Sequence, residues 1–371
     1  MVSWPAHPQP LPDELFSSWI FRAARANGQK FFSLCYMVAP ELRNIHHNYD
    51  YVINEDALKR YAKSLKTPYE QAFQTTLESY AGYLYETASA SRNRKSSILC
   101  TGIQSKATQR FSLQVCPLCL SESEPYFRKK WRITFITVCS IHGCKLIDRC
   151  PQCFHPIRPL QNDIGNQKIL YSGEITACHN CSFDLKKANV ETADRYVLLE
   201  TKWYESILEN GYVVLGPNCY VYSFSFFNIL KHLIGVTTNK NNLGLNCNSK
   251  PDLLPLNIRY KIICKLAGIF HKWPVSFVEF CFEFNIVYSD FTSVSKIKNA
   301  IPFWLDRIIK PQIYSPNLNP EDESVRSAMQ YMKKKGMAIN IVKINEFMGF
   351  EDSSVIKRVY KNVIPSKIII R

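Results

Sequence analysis

The sequence lacks the short motifs that mark several common enzyme classes. It has no G-x-x-x-x-G-K-[ST] phosphate-binding loop, no H-E-x-x-H metalloprotease helix and no G-x-S-x-G nucleophile elbow. No set of carboxylates has a spacing that identifies a nuclease or transposase centre. These absences argue against an ATPase, a metalloprotease, a serine hydrolase and a nuclease, and they predict a protein that is not an enzyme.

Long apolar runs are also missing, and acidic residues are the minority charge. No run of 18 or more apolar residues occurs, and the N-terminal residues have no basic segment followed by an apolar core, so neither a transmembrane span nor a signal peptide is predicted. Lys and Arg number 46 against 31 Asp and Glu, for a formal net charge of +15. The excess favours a polyanionic partner such as nucleic acid; the alternative is a basic, solvated surface.

Cysteine, in contrast, is abundant, and its spacing indicates metal binding. The chain has 14 cysteines in 371 residues, and half of them lie in short pairs. In a chain of this length the pattern indicates metal ligands in a reducing cytoplasm rather than a secreted disulfide framework. The pairs are Cys116/Cys119, Cys139/His142, Cys150/Cys153 and Cys178/Cys181.

Each pair has the x-x spacing that lets two side chains meet on one cation, and a tetrahedral site needs two such pairs. Four pairs therefore predict two ions per chain, and thiolate-rich tetrahedral sites select zinc over magnesium or calcium. Sequential pairing is favoured, although cross-braced pairing of alternate pairs stays open. Sequential pairing gives one site from Cys116, Cys119, Cys139 and His142 and a second from Cys150, Cys153, Cys178 and Cys181.

Both predicted ligand sets are complete, which indicates structural rather than catalytic zinc. Three further candidate ligands lie close in sequence and are interpreted as bystanders: Cys144, His155 and His179.

The loop between the two halves of the first site is basic and aromatic, with the sequence FRKKWR at 127–132. Trp131 is expected to pack against the metal ribbon. The four cations of this loop should not all be buried, so some are expected to face outward from the zinc scaffold. They are candidate contacts for nucleic acid or a partner: Arg128, Lys129, Lys130 and Arg132.

Hydrophobic periodicity predicts two helix-turn-helix-like units. In the first, within 54–77, Thr67 is expected to cap a helix that starts at Pro68, with Glu70 completing a capping box. The second, near the C-terminus, turns at Gly349 and continues into a helix whose polar side carries Lys357, Arg358 and Lys361 as candidate nucleic-acid contacts. Ordinary helical hairpins remain the alternative for both.

These patterns predict a mainly α fold in four parts. An amino-terminal helix-turn-helix domain occupies 1–110 and a double zinc-binding domain of the ribbon or knuckle type occupies 111–186. A helical domain follows at 187–330, and a carboxy-terminal helix-turn-helix-like unit at 331–371.

Two stretches resemble the TniQ family, the target-selection proteins of transposons. PLPDELFSSWIFRAARANG is similar to the family's amino-terminal helix. From Val115 to Cys153 the order C-P-x-C, Trp, C-x-x-H-x-x-x-L, C-P-x-C is that of the family, and C-H-N-C follows. The resemblance covers the first 185 residues well and the rest only by general pattern.

The resemblance implies a non-enzymatic adaptor that marks the insertion site. Its expected partners are target DNA, an RNA-guided CRISPR effector of the Cascade type, and the AAA+ regulator TnsC, which then recruits the transposase. Some relatives form homodimers. The alternative is a TnsD-like protein that reads an attachment site in DNA directly. Either role implies a prokaryotic cytoplasmic protein that associates with the nucleoid when on target, with no membrane partner.

Overall fold

The computed structural model describes residues 3–41, 50, 54–86, 97–99, 111, 113–163, 174–240, 251–292, 301–313, 320–350 and 353–363. Within these residues the protein is mainly helical, which confirms the predicted fold class. The chain forms two compact units, Met1–Ile313 and Tyr314–Arg371. The finer division into four domains stays a prediction. None of the helices in the described ranges is long and apolar enough to cross a membrane.

Helices of the first unit lie on both sides of a central segment with little regular structure. A two-stranded antiparallel hairpin follows α6 and pairs Tyr212 with Tyr222 at its open end. The bounds are α1 (Phe16–Ala26), α2 (Phe31–Val38), α3 (Glu55–Ser64), α4 (Tyr69–Gln74), α5 (Pro117–Leu120), α6 (Arg195–Asn210), β1 (Tyr212–Leu215), β2 (Cys219–Tyr222), α7 (Ser223–Lys240), α8 (Leu256–Leu266), α9 (Val275–Glu283), α10 (Tyr288–Thr292) and α11 (Phe303–Ile313).

Helix α1 forms because apolar side chains recur on one face. Phe16, Trp19, Ile20 and Ala23 follow helical spacing and are fully buried. The indole Nε1 of Trp19 donates a hydrogen bond to the backbone oxygen of Pro8 at 2.8 Å. The buried stripe therefore ties the N-terminal segment to the core.

Helices α3 and α4 form the hairpin predicted within 54–77, but the predicted capping box is wrong. Helix α4 begins at Tyr69 with Pro68 as its N-cap, and no side chain caps it. The hydroxyl of Thr67 is engaged elsewhere, because it donates to the backbone oxygen of Leu65 at 3.1 Å and contacts Gln9 Oε1 at 3.2 Å. Whether this hairpin acts as a helix-turn-helix stays a prediction.

The central segment is built from short antiparallel bridges, among them Val115 with Ile147 and Val138 with Lys145. Its apolar residues share one core with the helices before and after it. For example, Phe135 stacks on Phe227 of α7 with ring centroids 4.6 Å apart. The cysteines of the first two pairs, Cys116, Cys119 and Cys139, therefore belong to this continuous core.

The second unit contains three helices in its described residues: α12 (Asp322–Lys334), α13 (Ile341–Met348) and α14 (Ser354–Val363). Gly349 ends α13 in a left-handed conformation, with φ of 76°, at the predicted turn. Ser353 Oγ then accepts a hydrogen bond from the backbone N–H of Ile356 at 3.4 Å, at the start of α14. The three helices enclose a small core of Val325, Met329, Met332, Ile344, Ile356 and Val359.

Candidate metal centres

The first candidate centre brings together Cys116, Cys119, Cys139 and His142, whose donor atoms all lie within 4.8 Å of one another. Cys116 is the N-cap of α5, and its Sγ accepts a hydrogen bond from the backbone N–H of Cys119 at 3.5 Å. The short C-P-x-C turn therefore aims both thiols to the same side.

Distances within this first centre suit a tetrahedral ion. His142 Nδ1 lies 3.6, 3.3 and 3.8 Å from Sγ of Cys116, Cys119 and Cys139. Cys119 Sγ and Cys139 Sγ are 3.6 Å apart. With metal–sulfur bonds of about 2.3 Å and metal–nitrogen bonds of about 2.0 Å, tetrahedral zinc separates sulfur from sulfur by roughly 3.8 Å and sulfur from nitrogen by roughly 3.6 Å. The donor set therefore fits zinc without rearrangement.

The second candidate centre brings together Cys150, Cys153, Cys178 and Cys181, again with all donor atoms within 4.8 Å. Two Sγ–Sγ distances, from Cys150 to Cys181 and from Cys153 to Cys178, are both 3.6 Å. The structure thus groups the ligands of both centres sequentially rather than in the cross-braced arrangement. All described cysteines are free thiols, so no disulfide competes with metal binding among them.

Three of the four pairs share one backbone turn. In each, the first ligand's carbonyl oxygen accepts a hydrogen bond from the residue after the second ligand, at 2.9 Å in all three cases. That residue is left-handed, with φ of 62° at Gly143, 60° at Phe154 and 59° at Ser182. Only Gly143 adopts this conformation without a steric cost, which is of the order of 1 kcal/mol or more for the other two.

Thiolates that serve as ligands must lose a proton, and the local hydrogen bonds favour this at one cysteine of each centre. Hydrogen bonds from the thiols of Cys116 and Cys119 hold the pKa of Cys139 well below its usual range. In the second centre, burial acts to raise the pKa of Cys153, but the backbone N–H of His155 and the thiol of Cys181 outweigh it and lower that pKa to about 6.

Sequence reasoning missed the position of one cysteine. Cys144, interpreted from the sequence as a bystander, is buried, and its Sγ lies 3.4 Å from Sγ of Cys116. Its position two residues beyond His142 made Cys144 a candidate ligand, but the contact with Cys116 joins residues 28 positions apart and is not predicted by spacing.

The predicted projection of the basic loop 128–132 is wrong. Arg128, Lys129 and Arg132 are buried, and Lys130 is half-buried. Arg132 Nη1 donates to Asp50 Oδ2 at 2.8 Å, and Arg132 Nη2 donates to the backbone oxygen of Leu99 at 3.1 Å. The guanidinium is therefore neutralised inside the core rather than presented to a partner.

The charged groups of the other three cations also contact residues of the same unit. Lys129 Nζ donates to the backbone oxygen of Gln74 at 2.6 Å and to Ser79 Oγ at 2.7 Å. Lys130 Nζ lies 3.0 Å from a carboxylate oxygen of Glu205. Arg128 stacks its guanidinium on the ring of Tyr126 at 4.6 Å. Trp131 is fully buried, and its ring meets that of Phe127 edge-on, with centroids 6.5 Å apart.

The three candidate contacts of the second unit are exposed on α14: Lys357, Arg358 and Lys361. Arg358 forms an ion pair with Asp322 at the start of α12. A contact between these residues and nucleic acid stays a prediction.

The fold and the two tetrads define a mainly helical protein with two preformed centres of thiol and imidazole donors. Residues 5–146 match the family model for TniQ, and this stretch includes all four members of the first centre. The chain therefore carries a TniQ domain, which confirms the resemblance over these residues. The domain supports a general role in the selection of target sites for transposition. No curated protein matches the chain.

Proposed function

We propose that this protein is a non-enzymatic adaptor that selects the target site of a transposon. The TniQ match over residues 5–146 carries the proposal. In its finer form, the protein links an RNA-guided CRISPR effector of the Cascade type, bound at target DNA, to the AAA+ regulator TnsC. TnsC then recruits the transposase, so the adaptor itself performs no chemical step.

Zinc is the proposed ion at both centres, one per tetrad. Cys116, Cys119, Cys139 and His142 would hold the first, and Cys150, Cys153, Cys178 and Cys181 the second. Each tetrad fills the four positions of tetrahedral zinc with protein donors, the composition of a structural site. Bound zinc would crosslink segments that contain little regular structure, and it would thereby stabilise the surface that meets the partners.

Burial of the basic loop favours the adaptor over a direct reader of DNA. The loop lies within the stretch that matches the family, yet three of its cations pair inside the same unit: Arg132 with Asp50, Lys130 with Glu205 and Lys129 with the backbone oxygen of Gln74. This cluster is therefore not displayed to phosphates. Recognition of a protein surface does not depend on phosphate contacts.

The second candidate function is a TnsD-like reader of an attachment site, and the exposed cations of α14 favour it. Lys357 and Lys361 lie on the solvent side of a three-helix unit, where they could contact phosphates. Such a protein would bind one DNA sequence tightly, and part of its affinity would survive moderate salt.

Two measurements on the full chain separate these functions. An adaptor should co-purify with a Cascade-type complex and with a TnsC-like ATPase, and genomic competitor DNA should abolish its gel shift on any single duplex. A shift on one sequence that resists competitor, with no effector bound, would replace the adaptor with the direct reader. Light scattering on the same sample tests the homodimer that some relatives form.

A further inference from the structure

The first centre has a fifth potential donor. Cys144 Sγ is 3.4 Å from Cys116 Sγ, which is comparable with the 3.6 Å between Cys119 and Cys139 within the tetrad. Two thiolates on one tetrahedral zinc ion stand about 3.8 Å apart. The Cys116–Cys144 distance is thus within a few tenths of an ångström of the separation that two thiolates take on one zinc ion. Cys144 is not among the donors that all lie within 4.8 Å of one another, so its thiol must move towards Cys119 and Cys139 in order to bind the same ion.

The backbone holds Cys144 firmly in this place. Its carbonyl oxygen accepts a hydrogen bond from the backbone N–H of Cys139 at 2.7 Å, which closes the turn that carries Cys139 and His142. On its other side, Cys144 forms an antiparallel bridge with Thr192. The position of the thiol is therefore fixed by two neighbouring strands.

His142 is the peripheral member of the tetrad. Its side chain is 26% exposed, whereas the three cysteines are at most 2% exposed. Its Nε2 lies 3.8 Å from Glu122 Oε1, a long contact with a side chain that is itself 42% exposed. Loss of the imidazole would open the solvent side of the centre and leave the three buried thiols, with Cys144 beside them, in place.

We propose that Cys144 is a reserve ligand of the first centre, able to replace His142 as the fourth donor. This inference rests on metal binding at the proposed centre. With His142 in place the ion has three thiolates and one imidazole; without it, the Cys144 thiol releases its proton to water and binds as the fourth thiolate. The centre would then keep its ion, and the surrounding core its fold, through loss of the imidazole.

Metal content of the full chain tests the proposal. Wild type should hold two ions, one for each tetrad. His142→Ala should also hold two, because Cys144 supplies the missing donor, whereas His142→Ala/Cys144→Ala should fall to one. The matched control is His142→Ala/Cys281→Ala, since Cys281 is equally buried but lies in α9, and this variant should keep two ions.

Cobalt(II) loading identifies the donors directly. The sulfur-to-cobalt charge-transfer band grows with the number of bound thiolates, which should rise from seven in wild type to eight in His142→Ala. Cys144→Ala alone should leave the wild-type spectrum unchanged. His142→Cys/Cys144→Ala should restore two ions, and this restoration separates loss of a ligand from a failure to fold.

Two results would overturn the reserve-ligand role. One is a single ion per chain in His142→Ala; the other is an unchanged charge-transfer intensity in that variant, as expected if Cys144 only donates a hydrogen bond to Cys116. Fewer than two ions in wild type would instead contradict the metal centres themselves.

Discussion

The two basic clusters of this protein have similar compositions and opposite environments. Residues 128–132 hold four cations, of which Arg132 is only 1% exposed. Residues 357–361 hold three cations on α14, and all three are exposed. The sequence alone makes both clusters candidates for phosphate binding.

The difference lies in what the fold places around each cluster. Buried cations need compensation, and the first unit supplies the Asp50 carboxylate for Arg132 and two hydrogen-bond acceptors for Lys129. These partners lie 50 to 82 residues away in sequence. The α14 cations instead follow helical spacing opposite Ile356 and Val359, so one local pattern determines their exposure. The first cluster therefore contributes to stability, and the second faces solvent, where a partner can reach it.

The largest effect on the free energy of unfolding should come from removing the metal scaffold around the first cluster. Cys116→Ser takes one ligand from a centre whose three cysteines are buried in the core. Metal binding and folding are coupled with energies of the order of 10 kcal/mol. We expect one ion per chain by elemental analysis and loss of the cooperative unfolding transition of the first unit.

Cys150→Ser is the matched variant in the second centre, where Cys153 and Cys181 are partly exposed. It should also lose one ion and disrupt the fold around that centre. Retention of two ions by either variant would show that the ligand assignment is wrong.

The next largest effect should come from Arg132→Ala. The substitution leaves the Asp50 carboxylate buried without its charged partner, which costs about 3–5 kcal/mol. Urea denaturation should show this decrease in the free energy of unfolding, with an unchanged m-value. Lys361→Ala on α14 is the control and should change stability by less than about 0.5 kcal/mol. Equal effects of the two variants would remove the distinction between the clusters.

Local patterns account for what the sequence predicted correctly. The x-x spacing of the four pairs follows from the geometry of one turn. The turn at Gly349 also depends only on neighbouring residues. Such features need no knowledge of the rest of the chain.

Failures of the sequence reading involve contacts between distant segments. The burial of Arg132 depends on Asp50, and the hydroxyl of Thr67 bonds with Gln9 instead of capping α4. The proximity of Cys144 to Cys116 depends on how two turns meet across 28 residues. Spacing rules contain no information on these encounters.

A smaller effect should appear in the pH dependence of stability through Lys129. Burial lowers the pKa of Lys129 below its usual 10.5, although the nearby Asp13 carboxylate acts in the opposite direction. At pH values between the lowered pKa of the folded protein and the usual pKa of 10.5, the unfolded chain binds more protons than the folded chain. The free energy of unfolding therefore rises with pH in this range, by at most about 1.4 kcal/mol per pH unit.

Lys129→Met should remove this rise, which denaturant titrations at pH values up to the usual lysine pKa of 10.5 would measure. Lys361→Met, on exposed α14, should keep the wild-type profile. A Lys129→Met profile identical to wild type would mean that the buried lysine does not titrate differently on folding.

The smallest effect on stability, and the sharpest test of the exposed cluster, should come from Lys357→Glu/Lys361→Glu. Both side chains are exposed, so stability should change by less than about 0.5 kcal/mol. If α14 binds phosphates, the slope of log affinity against log salt for duplex DNA should fall by about 0.9 for each lysine–phosphate ion pair that the substitutions remove.

Lys333→Glu/Lys334→Glu on α12 changes the net charge equally and controls for long-range attraction. If both double variants lower the salt slope equally, the attraction to DNA comes from net charge. If only the α14 double variant lowers it, α14 binds the phosphates.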